Sequence, residues 1–203
     1  MTTVVLLGTL DTRGSEYAYV RERIVAQGCR VLLVDAGIKG DPSIQPDITR
    51  EVVARAARID VAQLASVDQN TAIALMAKGV TATIVEQFAR GRLHGILGLG
   101  GDGGSRLATA AMRSLPLGVP KLLVSPLASG DVRPFVGATD ISVMYSVAEI
   151  HGINAITECI LTNAAACIAA MAQAYNTFEL SPRARLHPYL IHQIPTRTLI
   201  QPH

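Results

Sequence analysis

The chain has 203 residues and three cysteines, so it can bury a core of its own without a disulfide scaffold. Eighteen basic against 16 acidic residues leave a formal charge of +2 spread without a block, which excludes the electrostatic footprint of a nucleic-acid binder. With no tryptophan and 4% aromatic residues it also lacks a stacking surface for single strands or glycans.

Cys29, Cys159 and Cys167 lie in apolar runs with no CxxC pair and no histidine at ligand spacing. Met1 leads directly into TTVVLLG with no basic n-region. The reading is a cytoplasmic protein with buried, reduced thiols. Gly, Asp or Arg is expected to break each apolar run short of the roughly 20 residues of a membrane span, so no membrane association is predicted.

Short runs of Val, Leu and Ile alternate with longer helical patterns, the order of a doubly wound α/β fold whose mainly parallel sheet has helices on both faces. Strands are predicted at Thr3 to Gly8, Arg30 to Asp35, Gly95 to Leu99 and Lys121 to Ser125, with a short fifth around Ile141 to Tyr145. Ser15 to Gln27 reads as a helix with Ser15 as N-cap and Gly28 at its stop. The stretch from Ala36 to Val67 is less regular: GIKGDPSIQPD is a loop, Ile48 to Arg58 a short helix, and IDVAQLAS reads either way.

From Asn70 to Arg90 the positions Ile73, Ala77, Val80, Ile84 and Phe88 recur at helical spacing. A last helix, Asn154 to Gln173, places Ile153, Ile156, Ile160, Ala164, Cys167 and Met171 on one stripe, a candidate dimer surface or a face buried within one subunit. The nucleotide-binding domain is therefore drawn over residues 1–173. Residues 174–203, with four prolines and three histidines, read as an irregular tail or the start of a missing C-terminal domain.

The strongest local signal is GILGLGGDGGSRLATAAMRSL, a buried strand running into Gly100, Gly101, Asp102, Gly103, Gly104 and Ser105 and then a small-residue helix. Glycines let a backbone approach a ligand, and a helix start presents unpaired N–H groups and a positive dipole end. Together they form a phosphate cradle; the alternative is a tight turn that only lets helix and sheet pack closely. Asp102 would repel a phosphate unless it turned away or held Mg²⁺, which takes one or two carboxylates beside phosphate oxygens.

A second turn, GTLDTRGSE, offers Thr9, Asp11, Thr12 and Arg13, although Asp11 and Thr12 can equally be helix caps. A third follows the fourth strand with Ser125, Ser129, Gly130, Asp131 and Arg133. Asp35, ending the second strand, is placed to accept hydrogen bonds from a ribose or to act as a structural cap. The turn after the first strand is not the dinucleotide fingerprint, since Gly8 and Gly14 are six apart, and GxxxxGK[ST] does not occur, so a standard NAD fold and a P-loop are both unsupported. Ser129, His151 and Asp140 could compose a hydrolase triad, but no GxSxG elbow presents the serine.

Taken in order, GTLDTRG, LGLGGDGGSRLATAAMRSLPLGVPKLLVS, ASGDVRPFVGATDISVMYSV and GINAITECILTNAAACIAAMA resemble the family of the plant tomato mosaic virus resistance protein and its uncharacterised microbial relatives. The resemblance covers about the first 173 residues. It implies a Rossmann-like N-terminal ATP-binding domain, a following TIM-barrel-like domain absent here, and homodimers. Carried over by motif, the nucleotide contacts fall on Thr9 and Asp11, on Gly100 to Ser105, and on Ser125, Ser129 and Gly130. The glycine loop looks similar to a GGSGGT pattern, so Asp102 stands for a small hydroxyl and Ser105 for a threonine.

Two functions are expected on this basis. One is a regulatory or accessory ATP-binding domain; the other is the N-terminal half of an enzyme acting on a phosphorylated or acylated metabolite, its chemistry completed by the absent domain. A purely structural dimer module is the third.

Overall fold

The computed structural model describes residues 1–178. Five strands, β1 (Thr3–Gly8), β2 (Arg30–Asp35), β3 (Gly95–Leu99), β4 (Lys121–Ser125) and β5 (Ser142–Tyr145), form one all-parallel sheet in the order β2-β1-β3-β4-β5. The first four match the expected strands residue for residue. The helices are α1 (Leu10–Ala26), α2 (Arg50–Ala56), α3 (Val61–Ala65), α4 (Gln69–Ala89), α5 (Asp102–Met112), α6 (Arg133–Val136) and α7 (Ala155–Asn176).

Alternation along the strands builds two cores. Val5, Leu7 and Ile96 face α2, α4 and α5, whereas Val4, Leu6 and Leu97 face α1 and α7. A central parallel strand covered on both sides is buried at every position, as β1 and β3 are, and so reads as an unbroken apolar run. This is the doubly wound, Rossmann-like architecture.

Tyr17 ties the two central strands at their carboxyl ends. It is fully buried; its hydroxyl accepts from Leu99 N at 3.0 Å and donates to the Leu7 carbonyl. Gly8 makes room for it, since a Cβ there would stand 2.0 Å from the hydroxyl oxygen.

Several expectations need correction. α1 starts at Leu10, five residues before Ser15, whose hydroxyl instead donates to Glu16 at 2.8 Å. Arg13 breaks the helical dihedrals (φ −132°, ψ 21°), so the regular part of α1 does begin near Ser15, but a first turn precedes it. The IDVAQLAS segment is helical: Asp60 and Gln63 form a capping box at the start of α3.

α7 runs on to Asn176, past the expected end at Gln173, and residues 179–203 of the expected tail lie outside the described residues. Its buried face is Leu161, Ala164, Ala165, Ile168, Ala169 and Ala172, while Ile153 and Ile156 of the expected stripe are 40% and 51% exposed. Alanines won this face because they let α7 sit close to the sheet; a Cβ on Gly95 would stand 3.0 Å from Ala172 Cβ.

Cys29 is buried as expected, but Cys159 is exposed. The expectation that Gly, Asp or Arg interrupts every apolar run fails at α7, which contains none of them; Gly79 does interrupt α4, yet both helices are long and apolar enough to cross a membrane. In the fold each is a covering layer, α4 packed on α2 and α5, and α7 on α1 and the sheet.

Candidate functional site

Strand order reverses between β1 and β3: the chain leaves β1 for β2 on one side and returns to β3 on the other. In open α/β sheets ligands lie outside the carboxyl ends of the strands at such a point. A crevice of about 230 Å³ sits there, walled by the turn after β1, the turn after β3 and the loop after β2.

The turn after β3 is built by its glycines. Gly100 has φ +144°, a backbone conformation that residues with side chains rarely adopt, and Gly104 passes so near β3 that a Cβ would meet the Leu99 carbonyl oxygen at 3.1 Å. The helix begins sooner than the sequence suggests. Gly101 is the N-cap of α5, so Asp102, Gly103 and Gly104 form its first turn. Gly101 offers no side-chain cap, and the first-turn N–H groups open onto the crevice with the positive end of the helix dipole.

Ser105 stands elsewhere. It is fully buried and bonds the Gly100 carbonyl and Ser125 Oγ, both at 3.0 Å, so it braces the turn and has no hydroxyl left for a ligand.

The turn after β1 repeats the motif, because Thr9 is the N-cap of α1 and makes no side-chain cap. Its hydroxyl instead meets Thr12 Oγ1 at 2.9 Å. Thr9, Asp11, Thr12 and Arg13 all line the crevice. Arg13 is steadied by donating to His151 Nδ1 at 3.0 Å and by Glu16 at 4.0 Å. Asp11 Oδ2 accepts from Lys39 N at 2.9 Å and Gly40 N at 3.2 Å, which folds the loop after β2 back over the turn.

Asp35 is not the ribose acceptor expected of it. It is wholly buried beneath the crevice, where Oδ1 accepts from Leu10 N at 3.1 Å and Gly37 N at 2.8 Å. A hydroxyl has no route to it.

The third wall is Ile38 and Lys39 after β2, not the turn after β4. Ser125 is buried and caps the following 3₁₀ turn by accepting from Leu127 N; Ser129 and Gly130 are exposed and outside the crevice wall. Lys39 was missed as a site residue, along with Gln69 and Ile73. The signal that could have found the lysine is its GIKG setting just past a strand end.

The crevice thus combines two helix N-termini with the cations of Arg13 and Lys39. Carboxylates oppose them at the rim: Asp102 is exposed and 3.7 Å from Arg106, and Glu149 Oε2 lies 3.6 Å from where a Cβ on Gly101 would stand. Asp102 has no companions for a metal centre, since the described residues contain no group of three His, Cys, Asp or Glu at ligating distance. The paper triad is dispersed: His151 pairs with Arg13, Ser129 donates to Pro126, and Asp140 binds buried Lys121 at 2.7 Å.

Comparison with known proteins places residues 2–177 within the N-terminal domain of an uncharacterised protein family, UPF0261. A UPF0261 protein of Clostridium tetani is 38% identical over 169 residues, 83% of this chain and 42% of its own length. One from Rhizobium meliloti is 42% identical over 173 residues, 85% of this chain and 42% of the relative. The tomato protein described as "ToMV susceptible protein tm-1(GCR26)" is 40% identical over 100 residues, 49% of this chain and 13% of that protein. The chain therefore spans about 42% of the length of the two bacterial relatives.

Proposed function

The chain belongs to the UPF0261 family through that family's N-terminal domain, and from this premise we propose that it is a regulatory or accessory nucleotide-binding domain that holds the phosphates of ATP in the β1/β3 crevice. One observation carries the reading: the first turn of α5, uncapped by any side chain, and the start of α1, where Asp35 takes the Leu10 N–H, meet at the point where strand order reverses. Uncapped N–H groups satisfied by an anion, under two convergent dipoles, are the physics of phosphate binding. Arg13 and Lys39 add charge-assisted contacts. A magnesium ion accompanying the nucleotide would meet Asp102 on the rim.

At about 230 Å³ the crevice is smaller than the roughly 300–1,000 Å³ of whole-ligand sites. It suits the triphosphate, and the base and ribose rest outside it. Calorimetric titration should therefore show ATP and inorganic tripolyphosphate binding within about tenfold of each other, weakened by salt, and adenosine not binding. If neither anion binds, the reading is lost. Because the bacterial relatives extend well beyond this chain, a second reading is that the remainder supplies chemistry on the same bound phosphate. A metabolite panel run on the full-length protein would then show turnover that the present chain lacks.

We also propose that the protein is cytoplasmic, where its free thiols would stay reduced, and that it forms a homodimer through the exposed start of α7, with Ile156 in its first turn and Ile153 just before it. Light scattering at micromolar concentration should give twice the 21.5 kDa chain mass. A single chain mass removes the dimer.

A further inference from the structure

A second cavity adjoins the crevice and shares Ile73 and Asp102 with it. It is a groove of about 370 Å³ between α4 and α5, walled by Pro134 and Phe135 of α6. Asp102, Arg106, Ala110 and Arg113 recur at spacings of three and four and so form one stripe along α5, while Leu107, Ala108, Ala111 and Met112 are buried on its other side. Arg113 marks the α6 end, where it donates to the Phe135 carbonyl and to Thr109 Oγ1 at 3.3 Å. A helix rises about 16 Å between positions 102 and 113, so the groove leads away from the α5 N-terminus along the helix.

Small side chains make the trough. Ala74 and Ala77 of α4 and Ala110 of α5 line it, and their single methyl groups leave the space between the helices unfilled. The groove offers apolar surface for the faces of a flat ring, an aromatic residue at its end, and the guanidinium donors of Arg106 and Arg113. Its one carboxylate stands at the junction with the crevice: Asp102 is exposed, with Arg106 at 3.7 Å. A carboxylate repels a phosphate but accepts hydrogen bonds from neutral hydroxyls. A wholly apolar tail would cover these charged groups and give them no partner.

We propose that the groove between α4 and α5 is the nucleoside subsite of the bound nucleotide: the ribose hydroxyls bond Asp102 at the junction, and the base lies among Ile73, Ala77 and Ala110 toward Phe135. The assignment rests on the phosphate reading, because the crevice must hold the phosphates for the groove to receive what is attached to them. Its size fits, since about 370 Å³ falls within the roughly 300–1,000 Å³ of small-molecule sites. Asp102 also supplies the ribose acceptor that fully buried Asp35 cannot be.

Calorimetry in EDTA, which keeps metal ions out of the comparison, should find ATP bound about fivefold more tightly than tripolyphosphate. Ala74→Leu, at an exposed position, and Ala110→Leu, at a half-buried one, add bulk to the groove from opposite walls. Each should bring ATP down to the affinity of tripolyphosphate and leave tripolyphosphate unchanged. No ATP advantage in the parent, an advantage that survives both variants, or an equal loss of both ligands overturns the subsite and leaves the phosphate reading standing. If the parent binds neither ligand, the phosphate reading is lost and the subsite goes with it. Should Ala110→Leu not fold, Ala74→Leu decides.

Asp102→Ala separates the sugar from the phosphates. With a like charge gone, the variant should bind tripolyphosphate more tightly than the parent, yet lose the parent's preference of about threefold for ATP over 2′,3′-dideoxy-ATP. A preference that the variant keeps overturns the ribose contact. The position of the base is read directly from nuclear Overhauser effects between its protons and labelled methyl groups. Contacts to Ala77 and Ala110 are expected; contacts to Ile38, in the loop after β2, would put the base at the opposite wall of the crevice and overturn the groove.

Discussion

Replacing Gly101 by aspartate should lower ATP affinity by about 100-fold while leaving the fold as stable as before or slightly more so. Gly101 is the N-cap of α5 at φ −72°, and a Cβ there meets nothing nearer than Glu149 Oε2 at 3.6 Å, so the backbone accepts a side chain. An aspartate in that place bonds the first-turn N–H groups itself, a helix-stabilising exchange worth a few tenths of a kcal/mol over glycine. Those same N–H groups are the ones proposed to hold a phosphate. Occupying them with a resident carboxylate removes charge-assisted bonds of about 1.5–3 kcal/mol and adds like-charge repulsion.

Stability and binding should thus move in opposite directions, an outcome that general damage to the fold does not produce. Gly101→Val blocks the approach without a charge and should show the same loss. Titration calorimetry with ATP, paired with urea denaturation, reads both quantities. Unchanged affinity in both variants would take the anion out of the α5 N-terminus.

Much of this arrangement could be read from the chain, and the failures have physical causes. β1 to β4 were legible to the residue because each has a continuous apolar middle, and polar or small residues bound it, with Thr3, Arg30 and Lys121 opening three of the runs and Gly8, Asp35 and Ser125 ending the same three. The start of α1 was not. Its first turn depends on Leu10 N reaching Asp35, which comes from another strand 25 residues later, so the local sequence offered only Ser15, Asp11 and Thr12 as caps.

Lys39 was hidden for a similar reason. Only the folded loop, drawn back by Asp11, carries it to the crevice. Ser125 and Ser129 were misplaced because β4 lies one strand beyond the reversal, and a turn there does not wall this crevice. For α7, a helix with Glu158 as its one charged residue is apolar nearly all round, and periodicity could not choose which face the sheet would take.

The other large effect lies away from the crevice, at Gly79 in the middle of α4. By helix propensity alone, Gly79→Ala should stabilise by about 1 kcal/mol. Packing opposes it: a Cβ on Gly79 would stand 2.1 Å from the backbone oxygen of Val53 in α2 and 2.9 Å from its carbonyl carbon. Backbone cannot rotate out of the way as a side-chain tip can, so α2 must lift from α4, and buried Val53 and Ala54 lose their seat. Overpacking of this kind costs about 1–3 kcal/mol or more, and with a main-chain obstacle we expect the upper end, a net loss of about 2 kcal/mol in urea denaturation.

The consequence reaches the site, because α2 begins with Arg50, which donates to the Gly40 carbonyl and holds Asp41 at 3.0 Å. Those bonds fasten the loop that carries Lys39. Displacing α2 should therefore weaken tripolyphosphate binding as well, and Lys39→Ala should weaken it without the stability loss. A Gly79→Ala protein that unfolds later than its parent would show that α2 does not press against α4 at this point, and the mechanical link from that helix to the crevice would fail with it.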